Sequence, residues 1–124
     1  MSYIDGFVIA DPTAKKQAFI DHAKMSDSIF IEWGATRVIE CWGDDVPQGK
    51  LTDFRRAVQA ADDETVVFSW IEWPDKATRD IGYAKMQDPE TMKDPRMDPA
   101  KNPPPFDGKR MIFGGFSPIV ELGE

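Results

Sequence analysis

A β-strand points successive side chains to opposite faces, and the run Glu64–Trp73 is apolar on both. One parity carries Val66, Phe68 and Trp70; the other carries Val67, Ser69, Ile71 and Trp73. A strand with one wet face would alternate with polar residues instead. The later run 109–116 behaves alike, with Met111 and Phe113 on one side and Ile112 and Phe116 on the other. Whatever sheet these strands join must be covered twice.

The rest of the chain supplies little cover. Tyr3–Ala10 reads as a first strand, and Asp11-Pro12 as its stop, with Asp11 the expected N-cap and Pro12 the first helical residue. Thr13–Trp33 holds no Gly or Pro, and Gly34 supplies a left-handed stop. Ala14, Ala18, Phe19, Ala23, Met25, Ile29, Phe30 and Trp33 share one half of that helix, while Lys16, Gln17, Asp21, Lys24, Asp27 and Ser28 share the other. Ala35–Gly43 is the second strand, and Leu51–Ala61 is short, with Phe54, Val58 and Ala61 at helical spacing. Pro74-Asp75 ends the third strand and caps a second helix, Lys76–Gln87, with Ala77, Ile81 and Ala84 as the expected inner face. The order is β-α-β-β-α-β, an α+β, ferredoxin-like domain spanning 1–124.

Six of the ten prolines lie between Pro89 and Pro105. Residues 89–108 are expected to form a long ordered loop that returns the last strand to the sheet. Two short helices cannot cover both faces of that sheet, and the chain carries 8 Phe, 4 Trp and 2 Tyr to hide. A second copy packed against the open face is the expected remedy, so a homodimer through the sheet is predicted.

Composition removes several function classes. With 15 Lys+Arg against 22 Asp+Glu, the net charge of −7 disfavours nucleic acid. No apolar run is long enough for a membrane helix, and Met1–Gly6 lacks the basic-then-apolar order of a secretory signal. A single cysteine, Cys41, fits the reducing cytoplasm. There is no phosphate loop, zinc spacing or nucleophile elbow, so neither a cofactor nor a metal is expected.

Several segments together resemble the YbaA-like family of small bacterial proteins. They are Gly34-Ala35, Glu40-Cys41, Asp44-Asp45-Val46-Pro47, Arg56-Ala57-Val58, Val66–Trp70 and Phe106–Phe116. The resemblance implies a dimeric α/β-barrel fold and no established activity. Its wider superfamily includes cofactor-free monooxygenases, haem-degrading enzymes, isomerases and small-ligand regulators, so the fold does not choose a reaction.

The candidate site residues are few. Glu40, inside a strand, must find a partner or raise its pKa. It is either a general base in a cleft or one half of a salt bridge with Arg110 or Arg37. His22, the single histidine, is a second catalytic candidate, or a core-edge residue bonded to backbone. Trp42 and Trp70 are candidate ligand walls, and Arg56 and Arg110 candidate clamps for a carboxylate or phosphate. The function read from these is small-molecule binding, or cofactor-independent catalysis, in a cleft between helices and sheet. The competing reading is a non-catalytic interaction module that docks through the proline-rich loop.

Overall fold

The computed structural model describes residues 1–123. Strands β1 (Tyr3–Pro12), β2 (Arg37–Trp42), β3 (Glu64–Trp73) and β4 (Ile112–Phe116) form one antiparallel sheet in the order β2-β3-β1-β4. Helix α1 (Lys16–Glu32) joins β1 to β2, and α3 (Lys76–Ala84) follows β3. The single turn α2 (Phe54–Ala57) interrupts the expected β-α-β-β-α-β order. The proline-rich loop does return β4 to the sheet, beside β1.

The two parities of β3 meet different partners. Towards the helices, Val67 packs with Ile9, Phe19 and Ala23, while Ile71 and Trp73 pack with Phe30, Trp33 and Tyr83. On the other side, Val66 joins Val8, Ala10 and Val58. Val58 comes from the excursion between β2 and β3, so this excursion roofs one end of the second face. The other end stays open, with Phe68 43%, Ile112 45% and Phe116 62% exposed.

Three local expectations need correction. Asp11 does not cap a helix. β1 keeps its pairing with β3 through Asp11↔Thr65 and Pro12↔Glu64, so the strand runs two residues further than its composition suggested. A 3-10 turn at Thr13–Lys15 then leads into α1, which has no side-chain N-cap. Asp11 is left fully buried with both carboxylate oxygens unpartnered, and burial with Glu64 nearby pushes it up to about 6.

The second correction concerns the inner face of α3. Ile81 is 65% exposed, whereas Gly82 is buried and Arg79 and Tyr83 point inward. The helix turns this way because Arg79 reaches Asp5 on β1, and because a Cβ at Gly82 would meet Trp73 at 3.1 Å and Trp33 at 3.3 Å. The third concerns the first helical stretch, where Ala14 in the 3-10 turn and Ala18 and Met25 in α1 face outward and Asp27 turns inward. Asp75 does cap α3, its side chain accepting from the Thr78 N–H at 2.7 Å. The pair Gly114-Gly115 pairs regularly with Gly6 and Asp5, and a Cβ at Gly115 would collide with the Tyr3 ring.

Gly34 ends the first crossover at φ 110°, and a Cβ there would meet Thr78 Cγ2 at 2.7 Å. Gly34→Ala is therefore expected to lower stability by about 1–3 kcal/mol, read from a shifted denaturant midpoint. An unchanged midpoint would mean that the turn and α3 relax together at no cost.

Candidate functional site

On α1, the residues Phe19, Ala23, Ser26, Asp27 and Phe30 follow the spacing i, i+4, i+7, i+8, i+11, which is one helical stripe. That stripe faces the sheet across a cavity of about 120 Å³. Phe7, Phe19, Phe30 and Phe106 supply apolar wall, and Asp27, Glu40, His22 and Ser69 supply polarity. An outer groove bordered by Lys16, Lys24 and Trp42 shares Phe19, Ala23, Asp27 and Glu40 with it. The two carboxyl groups thus stand where the groove meets the cavity.

Glu40 reaches this position because its parity on β2 matches that of Trp42 and because it lies opposite Ser69 on β3. Asp27 comes down from α1 to meet it, within hydrogen-bonding reach. Burial, then the neighbouring Asp27, push Glu40 up to about 9. Burial also raises Asp27, opposed by its hydrogen bond with Glu40 and by His22. Two buried carboxyls this close cannot both ionise at neutral pH, so the pair keeps a proton. Apart from the proton shared with Asp27, Glu40 Oε2 is buried with no hydrogen-bond partner. Such a group can donate and accept at one place, which suits proton transfer or the anchoring of a polar ligand atom.

His22 lies at the cavity under the proline-rich loop. Its Nδ1 hydrogen-bonds Asn102 Oδ1 at 3.0 Å, and its ring meets Phe106 edge-on. Asn102 Nδ2 in turn donates to the Arg96 carbonyl at 3.0 Å, and Arg96 pairs with Asp94 at 2.7 Å and with Glu32 on α1. The loop is therefore fastened along α1 and brings Phe106 against Phe19.

The other expected site residues are scattered. Trp42 borders the outer groove, tilted against Phe19, with the Lys16 ammonium 5.7 Å from its ring centre. Trp70 borders the cavity, but its ring lies on the opposite face of the sheet, edge-on to Phe68 at 5.6 Å and donating to Glu72 at 3.1 Å. Arg56 is engaged by Asp53 at 3.4 Å and by the Lys50 carbonyl, in the β2–β3 excursion. Arg110 grips Glu64 with two hydrogen bonds of 2.6 Å and holds Asp107 as well, tying the base of β4 to β3. Glu40 pairs with neither Arg110 nor Arg37, since Arg37 meets Glu72 instead. Asp53 caps α2, accepting from the Arg56 and Gly49 N–H groups. Of the six candidates, His22 and Glu40 line the cavity, Trp42 borders the groove that joins it, and Trp70 borders the cavity with its ring turned to the other face; Arg56 and Arg110 lie elsewhere.

Asp27 was missed because apolar counting assigned it to the wet half of α1. Its spacing to Phe19 and Ala23 is the signal that would have found it.

Residues 2–108, which include both carboxyl groups and Phe106, match the family described as proteins of unknown function (DUF1428). The chain belongs to that family. The uncharacterised protein YbaA of Escherichia coli K12 is 52% identical over 121 residues, spanning 98% of this chain and 99% of that one. The protein of the same name from Shigella flexneri aligns with the same identity and coverage. Among solved structures, a dimeric ferredoxin-like protein from an uncultured marine organism matches with a TM-score of 0.58 at 12% identity, over 98% of this chain and 100% of that one. That likeness establishes the ferredoxin-like fold. No helix among the described residues is long and apolar enough to cross a membrane.

Proposed function

We propose that this protein is a homodimer that binds a small molecule in the cavity between α1 and the sheet, with Asp27 and Glu40 as its polar anchor. The observation that carries this reading is the buried Oε2 of Glu40, which has no donor beyond the proton shared with Asp27, at a cavity otherwise walled largely by aromatic rings. An unpaired polar atom in such a place costs stability, and a ligand atom that bonds it recovers the loss. The proton held by the pair lets the same site act as a cofactor-independent acid or base. The loop's fastening to its own α1 through Arg96 and Asn102 supports the cavity over a docking role for the loop.

The dimer reading rests on the open half of the sheet, where Phe68, Ile112 and Phe116 form an apolar face. Two such faces packed together would bury these rings and form an α/β barrel. The dimeric state of the marine ferredoxin-like protein agrees with it.

Native mass spectrometry tests both halves at once. The expected species is a dimer of the 14.0 kDa chain. Phe68→Glu should convert it to a single chain by burying a charge in the interface. Glu40→Gln should keep the dimer and lose small-molecule binding in a fragment screen. A Glu40→Gln protein that falls apart would make Glu40 structural, and a wild-type protein that is a single chain at micromolar concentration would end the dimer reading.

A further inference from the structure

The cavity's charge balance says what kind of molecule it suits. Its described lining residues include two acids and one histidine but no lysine or arginine. The histidine is already engaged by Asn102. Lys16 and Lys24 lie further out, along the groove, and the Lys16 ammonium is held over Trp42. The negative charge of the carboxyl pair therefore has no fixed cation beside it inside the cavity. Around it stand the rings of Phe7, Phe19, Phe30 and Phe106, whose faces attract cations. From this arrangement we infer that the site takes a small organic monocation, an amine or amidine with a compact apolar body, its charged end between Asp27 and Glu40. The inference rests on the cavity reading above and adds the ligand's charge.

Size sets the other limit. At about 120 Å³ the cavity is a little smaller than the roughly 150 Å³ apolar cavity known to admit benzene, so the ligand's body is about that of a five-membered ring. Anions are refused by the carboxyl pair and by the net charge of −7. A neutral ligand of the same shape would fill the walls and leave the pair's charge uncompensated. A cation competes with protons for the same two carboxyls, so its binding must tighten as pH rises. The groups facing the pair are His22 on α1 and Ser69 on β3; β1 and the loop contribute Phe7, Ile9, Phe106 and Met111, none of which titrates.

Cyclopentylamine and cyclopentanol form a matched pair of probes, alike in shape and different in charge. Binding would be followed by calorimetry and by amide NMR shifts at Ala23 and Ser69. The expected result is that the amine binds at least about tenfold more tightly than the alcohol, the worth of one charge-assisted contact. Its affinity should also climb from about pH 6 to about pH 9, while that of the alcohol should not. Asp27→Asn and Glu40→Gln should each reduce the preference for the amine and flatten its pH dependence. If the alcohol binds as tightly as the amine, or if amine affinity ignores pH, the cation inference fails while the cavity reading stands. If neither probe moves the Ala23 and Ser69 signals, both fail.

Discussion

Replacing Arg79 with methionine is expected to destabilise the protein by about 3–5 kcal/mol, the cost of leaving one buried charge without its partner. Asp5 is 2% exposed and accepts three hydrogen bonds, from Trp73 Nε1 at 2.9 Å, Arg79 Nε at 3.1 Å and Arg79 Nη2 at 2.8 Å. The Arg79 guanidinium also stacks 4.2 Å from the Tyr83 ring centre and 5.2 Å from that of Tyr3. Burial and the Asp5 charge hold the Tyr83 phenol well above the usual tyrosine range, so it stays neutral and hydrogen-bonding. Removing Arg79 alone strands a carboxylate beneath aromatic rings. Removing both charges, as in Asp5→Leu with Arg79→Met, is expected to recover most of the loss, because apolar isosteres do not suffer the desolvation of an unpaired ion. Urea unfolding of the two single variants and the double variant measures the coupling. A loss below about 1 kcal/mol for Arg79→Met would place the pair among ordinary surface bridges.

The second large effect is on the pH dependence of stability. Glu40 moves from 4.5 in an unfolded chain to about 9 in the fold, chiefly because it is buried beside Asp27. Between those values the folded protein holds a proton that the unfolded chain has released. Stability must therefore fall as pH rises through this window, by at most about 1.4 kcal/mol per pH unit for one proton. Glu40→Gln removes the titrating proton and should flatten the decline, leaving the variant more stable than the parent near the alkaline end. Glu64 provides the opposite limb. Its two bonds from Arg110 lower it to about 2, so the stability it contributes is present above 4.5 and is lost as pH falls towards about 2. That acid limb should be unchanged in Glu40→Gln. Thermal melts across pH separate the two, and an alkaline decline that survives Glu40→Gln would assign it to another group.

Strand β3, Gly34 and the Asp75 cap were legible because each is a local rule. A short run of β-branched and aromatic residues, a left-handed glycine and a side chain three residues from its backbone donor need no distant partner. The unexpected roof over Val66 depends on Val58 crossing from the β2–β3 excursion, which a one-dimensional pattern cannot place. Asp11 failed as a cap for a related reason. Its capping propensity is worth about 1 kcal/mol, and continued pairing with Thr65 on β3 outweighed it. α3 was rotated away from its apolar stripe by the demands of one buried ion pair.

The candidate site divides along the same line. Glu40 stood out in the sequence as an acid inside a strand, but its partner there was expected to be an arginine. Arg37 faces away by strand parity and Arg110 is held by Glu64, so the carboxyl that meets Glu40 is Asp27 from α1. The sequence alone determined the class of fold, the strand that is apolar on both faces, the family resemblance and the net negative charge, because each follows from residue type and short-range spacing. Only the tertiary structure decided that two acids share a cavity with four phenylalanines, since packing a helix onto a sheet juxtaposes side chains far apart in the chain. The energy that makes them notable, a charge kept from water, exists only once that packing is made.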